Sequence, residues 1–357
     1  MGIIRTILAL SVVVWHSGGF LGWFSFNGTA CVILFFIVSG FYMALILNEK
    51  YLGRGSVLLF WGNRFFRLWP SYVIAVLLTI PLRPELPLEI FRQISDPASL
   101  LLVVFSNVTM FAYEIENLLC LAPSGALSPC GRAGDAPISD LFYIGQGWSL
   151  GLELWFYLFA PFFVRDRIRL LVVGLAAAVF FMAVRRMGWD DVWIYLFFQS
   201  VALFFILGVA SYHCGKALNK TRLGPAYRLA GLVILQMVAA LLVFPQALTL
   251  IVPEQHHNKF FVGLFSIFIP AWFAWSKDLA WDNAIGNLSY PVYVVHYALI
   301  NWLVEFGVVG KWFVFPVVVL TLAVAAAMYI LVEAPVDRWR QQRIRAAALL
   351  PARAASS

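Results

Sequence analysis

The apolar run IIRTILALSVVVWHSGG carries two ionisable side chains, Arg5 and His16, eleven residues apart. At ~100° per residue, that separation closes about three helical turns, so both project from one face, ~16 Å apart along the axis. A guanidinium fork matches phosphate oxygens, and an imidazole can take and return a proton near neutrality. Together they suit a long ligand that is anionic at one end and reactive at the other. Coenzyme A has that shape, with phosphates on its nucleotide and a long uncharged arm ending in sulfur. Spacing alone fits equally well an arginine flanking a membrane anchor and a histidine hydrogen-bonded inside a bundle.

Further polar groups interrupt apolar runs elsewhere. In WGNRFFRLWP, Arg64 and Arg67 stand at i and i+3 on one helical face. They can grip phosphate or simply flank a span on its positive side. GQGWSLGLELWFYLFAPFF places Trp148 and Ser149 at a membrane entry, with Glu153 one turn further in. A carboxylate there must be paired or neutral. It can orient a histidine, hold an arginine, bind an acceptor hydroxyl, or tie two helices together. His296 follows Ser289 by two turns in SYPVYVVHY and can line the same cavity or belong to the core. Glu333, next to Pro335 in VEAP, is placed to pair with a basic group near the inner face. His256 and His257 have no cysteine or carboxylate at ligand spacing, so no metal is expected.

These groups need a scaffold, and the composition says which. Of 357 residues, 62% are hydrophobic and 12% charged, against about 25% charged in soluble domains. Apolar segments of spanning or near-spanning length, ~20 residues, lie at 3–23, 28–48, 69–82, 147–164, 168–184, 192–213, 229–246, 259–276, 285–305 and 312–333. A shorter piece, 99–112, is read as not crossing. That choice places 18 of the 25 Lys and Arg on one side, which the positive-inside rule makes cytoplasmic. No A-x-A-like site follows the first segment, which is therefore a span and not a cleaved leader. The expectation is an all-α polytopic transmembrane bundle of about ten spanning helices with both termini cytoplasmic. Residues 1–337 form its membrane domain, and 338–357 a short basic tail against the anionic inner surface. The net charge of +7 then speaks to loop orientation and membrane lipids, not to nucleic acid. Cys120 and Cys130 share one outer loop and can pair if it faces an oxidising compartment.

Taken together, the R-x10-H of Arg5 and His16, FFIVSGF at 35–41, Arg64 and Arg67 followed by LWP, WSLGLE at 148–153, LSYPVYVVH and the closing VEAP resemble the acyltransferase-3 family of integral membrane acyltransferases. The resemblance runs over roughly 3–337. Each motif is short, and the specificity lies in their joint order and spacing. One departure is Leu154, which stands where the family usually has a second acidic residue. The resemblance implies transfer of an acyl group, usually acetyl, from cytoplasmic acyl-CoA to a hydroxyl on an outer-face glycan. The chain resembles the stand-alone form that decorates exopolysaccharide or lipid-linked saccharide, which implies a bacterial inner membrane.

On this reading Arg5, Arg64 and Arg67 hold the CoA phosphates, His16 is the catalytic base, and Glu153 positions the imidazole or the acceptor. Trp148, Ser149, His296 and Glu333 line the cavity or the acceptor site. Acetyl-CoA is a co-substrate, and no cofactor is bound permanently. Direct transfer and an acyl-histidine intermediate remain alternatives. The rival reading is a glycan or lipid transporter with a His/Glu proton relay, which would call for inverted repeats or paired broken helices. Neither is visible in the sequence. A non-catalytic export partner would give Arg5 and His16 no reason to share a face.

Overall fold

A computed structural model of the chain describes residues 1–19, 28–53, 55–131, 134–189, 191–243, 252–253 and 256–354. The architecture is all-α and polytopic. The helices are α1 (Gly2–His16), α2 (Gly28–Glu49), α3 (Ser56–Thr79), α4 (Leu86–Gln93), α5 (Pro97–Thr109), α6 (Ile115–Leu118), α7 (Gly147–Phe163) and α8 (Arg167–Arg186). They continue with α9 (Asp191–Tyr195), α10 (Phe198–Leu218), α11 (Gly224–Val243), α12 (His257–Ser276), α13 (Ala280–Gly286), α14 (Ser289–Glu305), α15 (Val314–Met328) and α16 (Ala334–Ala354). Among the described residues, six helical stretches are long and apolar enough to cross a membrane: Gly28–Glu49, Ser56–Leu82, Arg167–Arg186, Trp193–Leu218, His257–Ser276 and Val314–Ala346.

The other expected spans coincide with α1, α7, α11 and α14. α7 and α14 have 17 residues each, about 26 Å of helix. α1 has 15; residues 20–23 of its expected span and 244–246 of the α11 span lie outside the described residues. So do Arg54 and Arg132 of the charge tally and residues 355–357 of the tail. The piece read as non-spanning is α5, whose 13 residues reach about 20 Å, short of a ~30 Å hydrocarbon layer. It is moored to α3: Trp69 Nε1 donates to Val108 O at 2.9 Å and Tyr72 Oη to Asn107 O at 2.5 Å.

At the centre, α2 packs most extensively on α10. Glycines make this crossing possible: a Cβ on Gly40 would lie 1.9 Å from Phe205 O, and one on Gly208 2.0 Å from Ile37 O. Lipid gives apolar helices no hydrophobic reason to associate, so small residues that admit backbone contact decide where they cross.

Three features depart from the sequence expectations. The third span begins at Ser56, not residue 69, so Arg64 and Arg67 lie within α3 rather than ahead of it. Helical spacing of Phe60, Asn63, Tyr72, Ala75 and Thr79 buries one face, and that face continues through the arginine segment. Secondly, the loop between α6 and α7 holds a small antiparallel sheet, order β2-β1-β3, formed by β1 (Leu119–Leu121), β2 (Leu127–Pro129) and β3 (Ala136–Pro137). The Cys120–Cys130 disulfide ties it together. Thirdly, the boundary expected at residue 337 falls inside a helix. Pro335 has no N–H to give the preceding turn, and the chain passes through a π turn, Tyr329–Glu333, into α16 without stopping. The basic segment then packs on α3, with the Trp339 and Phe66 rings 5.2 Å apart and Arg343 Nη1 donating to Asn63 Oδ1 at 3.3 Å.

Candidate active site

The first turn of α1 is pinned to α13. Asp282 accepts from the backbone N–H of Gly2 at 2.6 Å and of Ile3 at 2.9 Å, satisfying donors every helix start leaves open. Thr6 Oγ1 donates to Ile285 O at 2.8 Å. The backbones touch, since a Cβ on Gly286 would lie 2.4 Å from Gly2 Cα. This contact sets Arg5, whose Nη2 donates to Gly286 O and whose guanidinium lies 5.5 Å over the Tyr42 ring.

Arg5 opens on a cavity of about 740 Å³ that Arg64, Arg67, Ser39, Glu153 and Arg340 also line. Glu153 Oε1 accepts from Ser39 Oγ at 2.7 Å and from Tyr157 Oη. These bonds run to α2 and to its own helix, not to His16. Glu333 stands behind the arginines, accepting from Ser71 Oγ at 2.6 Å and within electrostatic reach of Arg67. Ser149 lines this cavity and shares a 2.6 Å hydrogen bond with Tyr293 Oη.

His16 faces a second, smaller cavity of about 290 Å³ with Trp15, Gln146, Trp148 and Tyr297. Val32 and Tyr293 line both cavities and form the wall between them. The small cavity combines aromatic faces with a polar group: Gln146 Nε2 donates to Val294 O at 2.8 Å, while its Oε1 has no hydrogen-bond partner.

Behind His16 stands His296, fully buried on α14. Its Nδ1 lies 2.6 Å from Tyr293 O, and its Nε2 lies 2.9 Å from His16 Nδ1. The two rings are stacked, 5.1 Å between centroids, and Tyr297 meets His16 edge-on at 5.4 Å. A carbonyl oxygen only accepts, so His296 Nδ1 carries the proton of the neutral ring. Its Nε2 lone pair then accepts from His16 Nδ1–H. The relay leaves His16 Nε2 with a free lone pair, the form a general base requires.

The fold therefore gathers Arg5, Arg64, Arg67 and Glu153 in one cavity, puts His16 and Trp148 in the other, and sets Ser149 beside the wall. It pairs His296 with His16 across 280 residues of sequence. His256 and His257 lie apart, the latter with Nε2 2.9 Å from Val252 O. Among the described residues no three His, Cys, Asp or Glu are grouped to hold a metal. Sequence reasoning missed the wall residue Tyr293, the Glu153 partners Ser39 and Tyr157, and Arg340. A signal for Arg340 was present in VDRWRQQRIR: Val336, Arg340 and Ile344 recur at helical spacing, with Ile344 packing on the core.

A model of the acyltransferase domain that defines the acyltransferase-3 family matches residues 1–332. No curated protein and no solved structure matches the chain.

Proposed function

The chain belongs to the acyltransferase-3 family, and from that premise we propose that this membrane acyltransferase carries acetyl from acetyl-CoA to a hydroxyl of an extracytoplasmic or lipid-linked glycan. The observation that carries this reading is the division of labour between the cavities. Guanidinium groups crowd the large one, while the free imidazole nitrogen faces the small aromatic one. Arg5, Arg64 and Arg67 hold the donor phosphates, and the pantetheine arm passes the Val32–Tyr293 wall to His16. A sugar stacks among Trp15, Trp148 and Tyr297 and offers a hydroxyl hydrogen to Gln146 Oε1.

In the chemical step His16 Nε2 takes the proton of the reacting hydroxyl as its oxygen bonds to the thioester carbon. The tetrahedral adduct collapses, the C–S bond breaks, and the thiolate takes the proton back from Nε2–H. The products are the O-acyl sugar and free CoA, and the imidazole ends neutral as it began. His296 holds the ring in the required tautomer throughout. Glu153, bonded to Ser39 and Tyr157, positions the donor side of the cavity.

Topology follows the same reading: ten spans, both termini in the cytoplasm of a bacterium, and the disulfide-bearing loop facing the oxidising side of the inner membrane. Membranes holding the protein, given radiolabelled acetyl-CoA, transfer label into glycan or lipid-linked sugar. The His16→Ala protein inserts normally and transfers none; an active His16→Ala enzyme would sink the assignment. The transporter reading predicts sugar movement without label transfer.

A further inference from the structure

The large cavity has a fourth arginine that lies outside the part of the chain matched to the family, which ends at residue 332. Arg340 is only 4% exposed, although it sits in a segment whose composition reads as a basic tail against the membrane surface. It lines the same cavity as Arg5, Arg64 and Arg67, within electrostatic reach of the last two. Its Nη1 meets Asp337 Oδ1 at 3.3 Å, and its Nε is buried with no hydrogen-bond partner. The Nε atoms of Arg5 and Arg64 are in the same condition.

Arg340 is buried and Arg5, Arg64 and Arg67 are half-buried around one cavity, so the four guanidiniums repel one another unless negative charge meets them. Glu153 and Asp337 on the lining and Glu333 behind it offset part of this charge, but the cavity carries seven Lys and Arg side chains against three carboxylates. An occupant with several anionic oxygens answers the remaining donors, and guanidinium forks suit phosphoryl oxygens best. The contacts of Trp339 with Phe66 and Arg343 with Asn63 hold α16 on α3, so Arg340 arrives at the cavity in a fixed position.

We propose that Arg340 is a phosphate-binding residue of the donor site, so that α16 completes the clamp for the phosphate-bearing end of CoA. This rests on the acyl-CoA reading above and extends it to a helix outside the family match.

The test is equilibrium binding of CoA to the full-length protein in phosphatidylcholine nanodiscs, with Arg340→Gln, Arg340→Lys and the exposed control Arg345→Gln. Loss of a charge-assisted hydrogen-bonding group weakens CoA binding about tenfold to a hundredfold in Arg340→Gln. Arg340→Lys recovers part of the loss, and Arg345→Gln matches wild type. If Arg340→Gln fails to fold, as judged by thermal melting without ligand, Arg340→Lys decides, since it keeps the charge but not the fork. CoA binding as tight as wild type in a folded Arg340 variant overturns the proposal and leaves the acyl-CoA reading standing. Wild-type protein that does not bind CoA overturns both. Phosphatidylglycerol in the disc separates a nucleotide site from a lipid-headgroup site: unchanged CoA affinity supports the proposal, and competition by the lipid overturns it.

Discussion

Removing the His296 ring tests the tautomer argument directly. In His296→Ala the acceptor 2.9 Å from His16 Nδ1 disappears, and the Nδ1–H is left without its partner. An unsatisfied donor of this kind costs about 1–3 kcal/mol. His16 escapes that cost by turning or by moving its proton to Nε2, and either change removes the base from the acceptor hydroxyl. If the whole penalty appears in the transition state, kcat falls about 5- to 150-fold. The KM for acetyl-CoA stays near wild type, because the donor arginines lie in the other cavity. His296→Gln discriminates between orientation and bulk, since its amide oxygen can accept from His16 Nδ1–H as the imidazole did. Steady-state transfer from labelled acetyl-CoA by the purified variants reads both parameters. A kcat unchanged in His296→Ala, or a Gln variant as impaired as the Ala variant, would refute the relay.

The wall between the cavities gives a second expectation. On the proposed route of the pantetheine arm past Val32 and Tyr293, Val32→Trp thickens the wall, so transfer drops by about 100-fold or more, as misplacement of reacting groups does, while CoA binding persists; transfer at the wild-type rate would exclude this route. The segment between α5 and α7 gives a third. Burial pushes the Glu116 carboxyl up to about 9, so the folded loop keeps a proton that the unfolded chain releases near its ordinary value. This contribution to stability is complete below about pH 4.5 and is lost as pH rises towards 9. Glu116→Gln therefore melts at a temperature close to wild type at pH 5 and increasingly above it towards pH 8.5, and a constant difference across that range would refute the assignment.

Much of the scaffold was legible because lipid imposes a simple rule: a spanning helix must be apolar for most of its length. Runs such as 28–48 and 168–184 therefore coincide with α2 and α8. The start of α3 was not legible, since its first turns carry arginines, asparagine and glycine that composition assigns to a flank. Their polarity is tolerated because Arg64 and Arg67 face a cavity and Asn63 bonds Tyr51 and Arg343, which depends on neighbouring elements. The small sheet escaped because strands of two or three residues show no period. The cysteine pairing stayed open because reach depends on how β1 and β2 fold back on each other.

The sequence by itself determined that the chain is a helical membrane protein, that Arg5 and His16 share a face, and, through motif order, that its family transfers acyl groups. Those are properties of local period and of short patterns. Only the tertiary structure decided that His296 stands behind His16, that Glu153 bonds Ser39 and Tyr157, and that Arg340 leaves the tail for the arginine cavity. Apart from the Glu153–Tyr157 bond within α7, each is a contact between residues far apart in the chain, set by glycine-mediated helix crossings and by Asp282 gripping the start of α1. The Arg5–His16 pair needed both: periodicity aligned it on one helix, and packing placed its two ends in different cavities.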